Sequence, residues 1–329
     1  MAYNQVVSRG HTRPLTEISF VRDGPTRTLL VSSAHDKLPQ IRNGETGDWI
    51  GSFSGHKGAV WSCKVDQLSR TLTATASGDF TAKLWCASTG KELHEFKHKH
   101  VVKSIDFAPD SEKFATGCQD GLLRIFSTVE PGRPADEYKV GADAADGISK
   151  ILWSSEQTLI LGKKNGYMEL WDTRVPESAV TRILVPGDGL QIQDIELNQS
   201  AGVANSGATV MVASGNKVSM FAVAGLSLVQ AYTMPSPMTF KEEGGASLHP
   251  DGSKFIAGGS DLWLREFDVA SGEVLRTFKG HHGPIRCVRY HPSGEVGASG
   301  SEDATIRLWD LSQTALDVSA DVNAVGSGI

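Results

Sequence analysis

The chain has 329 residues and four cysteines, and its formal net charge is −6 at pH 7. This acidic balance argues against a global nucleic-acid footprint, and no apolar run approaches the roughly eighteen residues that a membrane span needs. Because the N-terminus lacks a secretory signal and the cysteines lack a zinc-like spacing, we expect a cytoplasmic protein and no metal site.

The first predicted element is a short strand, residues 3–8, which precedes the pair Gly10-His11. A pattern that opens on Gly-His recurs from there along the chain. Its last copy begins at Gly280-His281, so six steps cover the 270 residues from His11 to His281 and the mean step is 45 residues. A fixed period of this length indicates a repeat architecture before any propensity argument is needed.

Seven copies of the pattern follow one another when the sequence is aligned on the His and on an Asp that lies six residues before an aromatic residue. Two copies are complete, and the others lack one or more of these residues. In chain order the anchors are His11 and Asp36; His56, Asp79 and Trp85; His98, Asp120 and Phe126; Asn165 and Trp171; Gly215 and Phe221; Asp261 and Phe267; and His281, Asp303 and Trp309.

Each copy contains four short strand-like segments; residues 286–290, 255–259, 305–309 and 274–278 are examples of the first to the fourth. Four strands per unit are typical of a propeller blade, and the blades must close into a ring if no edge is to stay open. The last copy supplies only three strands, so we predict that the N-terminal strand completes it.

The predicted fold is therefore an all-β, seven-bladed β-propeller. It forms a single domain over residues 1–311, and the last blade is closed by the N-terminal strand. The polar tail that follows, residues 312–329, has little to bury and is expected to be disordered.

Hydroxyl residues recur four positions before the aligned Asp, at Ser32, Thr75, Thr116 and Ser299. A buried relay would explain them: the Asp accepts a hydrogen bond from the His, the His meets the hydroxyl, and the hydroxyl meets the indole N–H. The alternative, a catalytic Ser-His-Asp triad, is disfavoured because the same trio recurs in separate copies. The complete structural tetrads are His56, Thr75, Asp79 and Trp85, and His281, Ser299, Asp303 and Trp309.

No residue is assigned a catalytic role, because the sequence shows no clustered, non-repeating set of polar side chains for the centre of the ring. We accordingly expect no enzymatic activity and no cofactor.

The densest basic cluster is residues 97–103, which include Lys99, His100 and Lys103. One interpretation is a contact to a phosphate group or an acidic peptide. The other is a solvated loop in which His98 is simply the structural His of its copy. We expect Lys99, His100 and Lys103 to form an exposed positive spot on a mildly acidic ring.

These repeats resemble those of the WD40 family. In that family the position five residues after the His and the position before the Asp ring one face and contact partners, so the resemblance implies a binding face here. For Trp61, packing between blades is the alternative. Together with the basic cluster, the partner-binding candidates are Trp61, Lys99, His100, Lys103, Gln119, Arg286 and Glu302.

Five segments carry a closer resemblance, to a group of WD40 adaptors that join the survival-motor-neuron complex and associate with translational regulators and receptor kinases. They are residues 44–61, 79–85, 98–103, 119–125 and 283–288. The resemblance implies a scaffold in spliceosomal ribonucleoprotein assembly, mRNA splicing and translation regulation.

As such a scaffold, the chain would be a monomer within a larger complex. Its implied partners are gemin-like subunits and translational regulators, with RNA contacted indirectly. Two alternatives stay open: the i subunit of eukaryotic translation initiation factor three, and a propeller that binds RNA directly.

Overall fold

A computed structural model describes residues 5–25, 27–140, 146–175, 179–199 and 207–312. These residues form 28 strands in seven four-stranded antiparallel sheets. The predicted seven-bladed, all-β propeller is confirmed. Residues 3 and 4 of the predicted first strand, and residues 313–329 of the predicted tail, lie outside the described residues.

The strands of each blade run in chain order from the centre of the ring outwards. Blade one contains β2 (Leu15–Arg22), β3 (Thr28–Ala34), β4 (Gln40–Asn43) and β5 (Trp49–Ser52). Blade two contains β6 (Val60–Val65), β7 (Leu72–Ser77), β8 (Thr81–Cys86) and β9 (Glu92–Lys97). Blade three contains β10 (Val102–Phe107), β11 (Lys113–Cys118), β12 (Leu122–Ser127) and β13 (Asp136–Lys139). Blade four contains β14 (Ile148–Trp153), β15 (Thr158–Lys163), β16 (Tyr167–Asp172) and β17 (Thr181–Leu184).

The remaining blades follow the same plan, and the last one takes its outer strand from the N-terminus. Blade five contains β18 (Ile192–Asn198), β19 (Thr209–Ser214), β20 (Lys217–Ala222) and β21 (Ser227–Thr233). Blade six contains β22 (Gly245–Leu248), β23 (Lys254–Gly258), β24 (Leu264–Asp268) and β25 (Val274–Phe278). Blade seven contains β26 (Ile285–Tyr290), β27 (Val296–Ser301), β28 (Ile306–Asp310) and β1 (Gln5–Ser8).

Apolar side chains fill the spaces between neighbouring blades. One cluster joins Val21 and Val31 of blade one to Val65 and Trp85 of blade two, and every member is buried. Another joins Leu15 of blade one to Leu308 of blade seven across the closure of the ring. Because a blade covers its apolar faces only against the blades beside it, the stability of each sheet depends on its neighbours.

The N-terminal strand closes the ring as predicted. β1 pairs antiparallel with β28, with Gln5 opposite Trp309 and Ser8 opposite Ile306. The Ser8 hydroxyl donates to the Gly47 carbonyl at 2.5 Å, and it accepts from the Arg42 guanidinium at 2.8 Å. These bonds join blade seven to blade one. β1 therefore covers the open edge of β28 and also stabilises the junction between the two blades.

All four cysteines are free thiols, and three of them are buried in blade walls. Burial raises the pKa of Cys118 to about 11 and that of Cys287 to about 12, which keeps both as unreactive thiols. In the part of the chain that the structure describes, no helix is long and apolar enough to cross a membrane.

Removal of residues 2–8 should destabilise the whole ring, because β28 loses its partner strand and the seam loses the bonds of Ser8. We expect a lower midpoint of thermal unfolding and concentration-dependent association through the exposed edge. Thermal unfolding and size-exclusion chromatography would measure both, with a chain shortened by residues 313–329 as the control. Equal midpoints for the two truncated chains would contradict the closing role of β1.

Candidate functional site

The tetrad of blade two is a continuous chain of hydrogen bonds inside the blade wall. The indole N–H of Trp85 donates to Thr75 Oγ1 at 2.8 Å, and Thr75 Oγ1 lies 2.7 Å from His56 Nε2. His56 Nδ1 lies 2.8 Å from Asp79 Oδ2. Since an indole N–H can only donate and a carboxylate can only accept, the threonine hydroxyl donates to Nε2 and the Nδ1–H donates to the carboxylate. Every polar group therefore has a partner.

Blade seven repeats this arrangement. Trp309 Nε1 lies 2.8 Å from Ser299 Oγ, Ser299 Oγ lies 2.8 Å from His281 Nε2, and His281 Nδ1 lies 3.0 Å from Asp303 Oδ2. The side chains of His56 and His281 are both 0% exposed. A catalytic triad needs a nucleophile that substrate can reach, so both tetrads act as structural relays.

The tetrad carboxylates are held ionised despite burial. Burial alone would raise the pKa of Asp79, but hydrogen bonds from His56, Thr81 and the Lys57 backbone outweigh it and lower that pKa well below its usual range. Asp303 shows the same balance, with bonds from Thr305, His282 and His281. Each carboxylate fixes the turn before its third strand.

Blades one and three keep part of the relay. His11 lies 2.8 Å from both Asp36 and Ser32. His98 lies 2.9 Å from Thr116, but its Nδ1–H donates to the Phe96 carbonyl, because Asp120 turns to the guanidinium of Arg124 at 3.0 Å. The His of blade three is thus structural, although its Asp has another partner.

The divergent blades use other buried contacts at the same depth. In blade four, Glu169 accepts from the Trp171 indole at 3.0 Å and pairs with Lys163 at 3.0 Å. In blade six the stacked rings of Phe255 and Phe267, with centroids 4.7 Å apart, fill the wall instead. A blade can therefore lose the motif without losing its packing.

The inner strands carry a set of charged side chains that face one another across the centre of the ring. Lys64 pairs with Glu17 at 3.0 Å. The Arg289 guanidinium donates to both oxygens of Asp194, at 2.6 and 2.7 Å, and Asp194 belongs to blade five whereas Arg289 belongs to blade seven. The set comprises Glu17, Lys64, Asp106, Lys150, Asp194, Glu196 and Arg289, and it is called the channel network below.

The channel network contradicts the expectation that no clustered, non-repeating polar set occupies the centre. The sequence signal was present, because charged residues interrupt inner strands that are otherwise apolar. It was missed because the partners lie on different blades and do not follow the repeat. Lys64 pairs with Glu17, and Arg289 pairs with both Asp194 and Glu196, so much of the charge of the network is offset within the ring.

Two carboxyl groups of the channel network are shifted towards the protonated form. Burial raises the pKa of Asp106 to about 6 and that of Glu196 to about 7. Glu17 differs: burial is the largest single influence and would raise its pKa, but the charges of Lys64, Lys150 and Arg289 and a hydrogen bond from Ser62 together lower it to about 2. Burial thus favours the neutral form of Asp106 and Glu196, whereas the nearby cations favour the ionised form of Glu17.

Gly245 leaves space for the ion pair between Arg289 and Asp194. It begins the inner strand of blade six, between the two blades that Arg289 and Asp194 bridge. A Cβ atom at this position would collide with the Asp194 carboxylate. The bridge from blade seven to blade five therefore requires glycine at position 245.

The channel mouth is the face where the inner strands begin, and Trp61 is its central aromatic side chain. The ammonium of Lys103 lies 2.9 Å from the Trp61 ring centroid. The His35 ring meets the same indole edge-on, with centroids 4.9 Å apart. Trp61 is thus both partly exposed and packed between blades, which combines the two interpretations of this residue.

The expected exposed positive spot is wrong for Lys103. Lys99 and His100 are exposed, but Lys103 is only partly so, because its chain folds over Trp61. Burial, followed by the nearby charges of Lys150 and Arg286, lowers the pKa of Lys103 to about 7, with Glu243 opposing. Lys103 therefore belongs to the channel mouth, whereas Lys99 and His100 stand on the outer loop.

The other candidates lie around the same mouth at different depths. Arg286 is 9% exposed and forms an ion pair with Glu243. Gln119 is half-buried and Glu302 is exposed. Glu243 was missed by the sequence reasoning, since it precedes its strand at a position outside the two aligned sets.

Among the described residues, no group of three or more His, Cys, Asp or Glu side chains is placed to hold a metal ion. The mouth instead offers an aromatic ring, fixed cations and two carboxylates, which suit contacts to another macromolecule.

Comparison with known proteins agrees with this architecture. The WD domain, G-beta repeat model matches residues 47–86, 90–127 and 272–310. The serine-threonine kinase receptor-associated protein of Gallus gallus is 38% identical over 309 residues, covering 94% of this chain and 83% of that protein. Its counterpart in Dictyostelium discoideum is 34% identical, covering 92% and 98%. Eukaryotic translation initiation factor 3 subunit I of Caenorhabditis elegans is 28% identical, covering 95% and 98%.

Thr75→Val should lower the free energy of unfolding more than Thr116→Val. The first change leaves both the Trp85 indole and His56 Nε2 without a partner, whereas the second affects only His98. Each buried group left unpaired costs about 1–3 kcal/mol. Urea unfolding of the two variants would measure the difference, and equal losses would show that the indole bond contributes nothing.

Glu196→Gln should stabilise the protein increasingly as the pH rises. The folded-state pKa of about 7 lies above the ordinary value of 4.5, so protonated Glu196 contributes stability that is fully present below pH 4.5 and is lost as the pH rises through 7. The glutamine side chain of the variant would mimic the protonated form at every pH. The stability difference should grow by up to about 3 kcal/mol between about pH 4.5 and 8.

Urea unfolding at pH 5, 6, 7 and 8 would follow this difference. A constant difference in the free energy of unfolding between the natural chain and the variant at all four pH values would contradict the raised pKa of Glu196.

Proposed function

Because the chain belongs to the serine-threonine kinase receptor-associated protein family, we propose that it is a non-catalytic interaction scaffold. It serves as an adaptor in survival-motor-neuron-type spliceosomal ribonucleoprotein assembly and in the regulation of mRNA and translation. Its partners are gemin-like subunits of that complex and translational regulators. It acts as a monomer within a larger assembly, in the cytoplasm and the nucleus.

The scaffold role is supported by a contrast between two regions. The polar groups inside the ring bond to one another, whereas the channel mouth presents side chains that can contact a partner. Both complete tetrads are sealed inside blade walls, and the ion pairs of the channel network are made within the ring. Trp61, Lys103 and Arg286 instead converge at the mouth, where an aromatic ring and fixed cations are the residue types favoured in partner contacts.

The second candidate function is that of a subunit of eukaryotic translation initiation factor 3. It is favoured by the similarity to subunit I along most of the chain. A direct RNA-binding role is a weaker alternative. It would need the basic cluster to continue across neighbouring blades as an exposed stripe, but Lys103 turns inward onto Trp61 and leaves Lys99 and His100 on the outer loop.

Purification of the chain from its own cells at gentle salt, followed by mass spectrometry, tests the proposal. We expect gemin-like and Sm proteins to accompany it. Recovery of the other initiation factor 3 subunits would assign the chain to that complex instead, and salt-sensitive RNA without these proteins would favour direct RNA binding.

A double variant, Trp61→Ala with Lys99→Glu, should reduce capture of the main partner without unfolding the ring. Trp263→Ala is the matched control, because Trp263 also lies beneath a lysine, with Lys279 Nζ 4.2 Å from its ring centroid, yet it stands neither five residues after a His anchor nor directly before an Asp anchor. Circular dichroism would verify folding. Undiminished capture by the folded double variant would show that the partner uses another face.

A further inference from the structure

We propose that the channel mouth binds a carboxylate of an acidic peptide segment, and that Glu243 occupies this site until such a segment displaces it. This inference rests on the scaffold function proposed above and adds the chemistry of the partner and an internal competitor.

The mouth concentrates positive charge on an acidic protein. Five cations lie within electrostatic range of His35 or Lys103, together with the carboxylates Glu243 and Glu302. The cations are Arg13, Lys103, Lys150, Lys164 and Arg286. Since the whole chain carries a net charge of −6, this local excess of cations favours an anionic ligand at the mouth.

Two buried nitrogen atoms at the mouth are unused. Arg286 Nε and His35 Nε2 are buried and have no hydrogen-bond partner in the described structure. The Arg286 side chain is 9% exposed, although one of its terminal nitrogens contacts Glu243. Buried polar groups are rarely left unpaired, and the Arg286 Nε–H can only donate, so this group lacks an acceptor.

Glu243 shows that the site accepts a carboxylate. It pairs with Arg286 and is attracted by Lys103 and Lys150. Burial nevertheless raises its pKa, and these cations only partly offset that rise. The residue lies in the irregular segment before β22, outside any strand ladder. Its withdrawal would therefore break no sheet hydrogen bonds and would leave Arg286 without its ion-pair partner.

The depth of the site favours a peptide carboxylate over a nucleic acid. Lys103 is partly buried and lies over Trp61, and Arg286 is almost covered. A single side-chain carboxylate can contact such partly covered cations, as Glu243 does with Arg286. A polynucleotide backbone needs a row of exposed cations that follows its phosphates, and only Arg13 and Lys164 of the five mouth cations are exposed.

Fluorescence anisotropy with a fluorescein-labelled hexaglutamate peptide tests the inference, with hexaglutamine as the uncharged probe and oligouridylate as the nucleic-acid probe. Hexaglutamate should bind in a salt-sensitive way, and hexaglutamine should not. Glu243→Gln should tighten hexaglutamate binding about three- to tenfold, because it keeps a hydrogen-bond acceptor for Arg286 but removes the competing charge.

The matched control is Glu302→Gln, an exposed carboxylate of the same mouth, which should change the affinity less than about twofold. Lys103→Met and Arg286→Gln should each weaken hexaglutamate about tenfold or more. The gain expected for Glu243→Gln cannot arise from misfolding, so it remains decisive even if the Arg286 variant is unstable.

Unchanged or weaker binding by Glu243→Gln would overturn the competitor role, and absence of hexaglutamate binding would overturn the site. Tighter binding of oligouridylate than of hexaglutamate would assign the mouth to nucleic acid.

The two proposals can fail separately. If the native complex is captured through Trp61 while hexaglutamate fails to bind, the scaffold function is supported and this inference is wrong. If hexaglutamate binds with the expected gain while no complex is captured, the site stands and the proposed function falls.

Discussion

Each blade of this ring is stabilised by the two blades beside it, and this mutual dependence is the constraint from which the rest of the structure follows. It makes the seam between blades seven and one decisive, because contacts there join the two ends of the propeller. Arg22 of blade one donates to the Pro292 carbonyl of blade seven at 3.1 Å, and within blade seven Arg307 donates to Gln5 of the N-terminal strand at 2.7 Å. Interior side chains are therefore fixed only when the last blade has received its strand from the N-terminus.

Different blades of the ring are stabilised by different kinds of buried contact. Blades two and seven use the full hydroxyl-bridged relay, whereas blade four uses a buried Lys163–Glu169 pair that also accepts from Trp171. Blade six replaces polar groups with stacked rings of Phe255 and Phe267. The family model matches segments in blades two, three and seven, which retain the histidine. Loss of the motif in the other blades is thus a change of packing chemistry and leaves the architecture intact.

Features that repeat were predictable from the sequence, and features that join different blades were not. The period gave the number of blades and the closure by β1, and it placed the fourth strand of blade six at Val274–Phe278 as observed. The charged residues of the channel network are visible in the inner strands, but their pairing could not be inferred, because Asp194 and Arg289 are 95 residues apart and pair across another blade. The burial of Lys103 was missed for the same reason: it depends on Trp61 of the preceding blade. Glu243 carries no repeat signature at all.

Gly245 has a consequence for the history of this family. Asp194, Arg289 and Gly245 form one steric and electrostatic unit, because the ion pair fills the volume that any larger residue at position 245 would need. Substitution at one of these positions alone would leave either a buried charge without its partner or a collision. The three residues should therefore be inherited together, and a lineage that abandons the ion pair becomes free to place a side chain at position 245. Such a lineage could open the centre of the ring, which in this protein is plugged by its own charges.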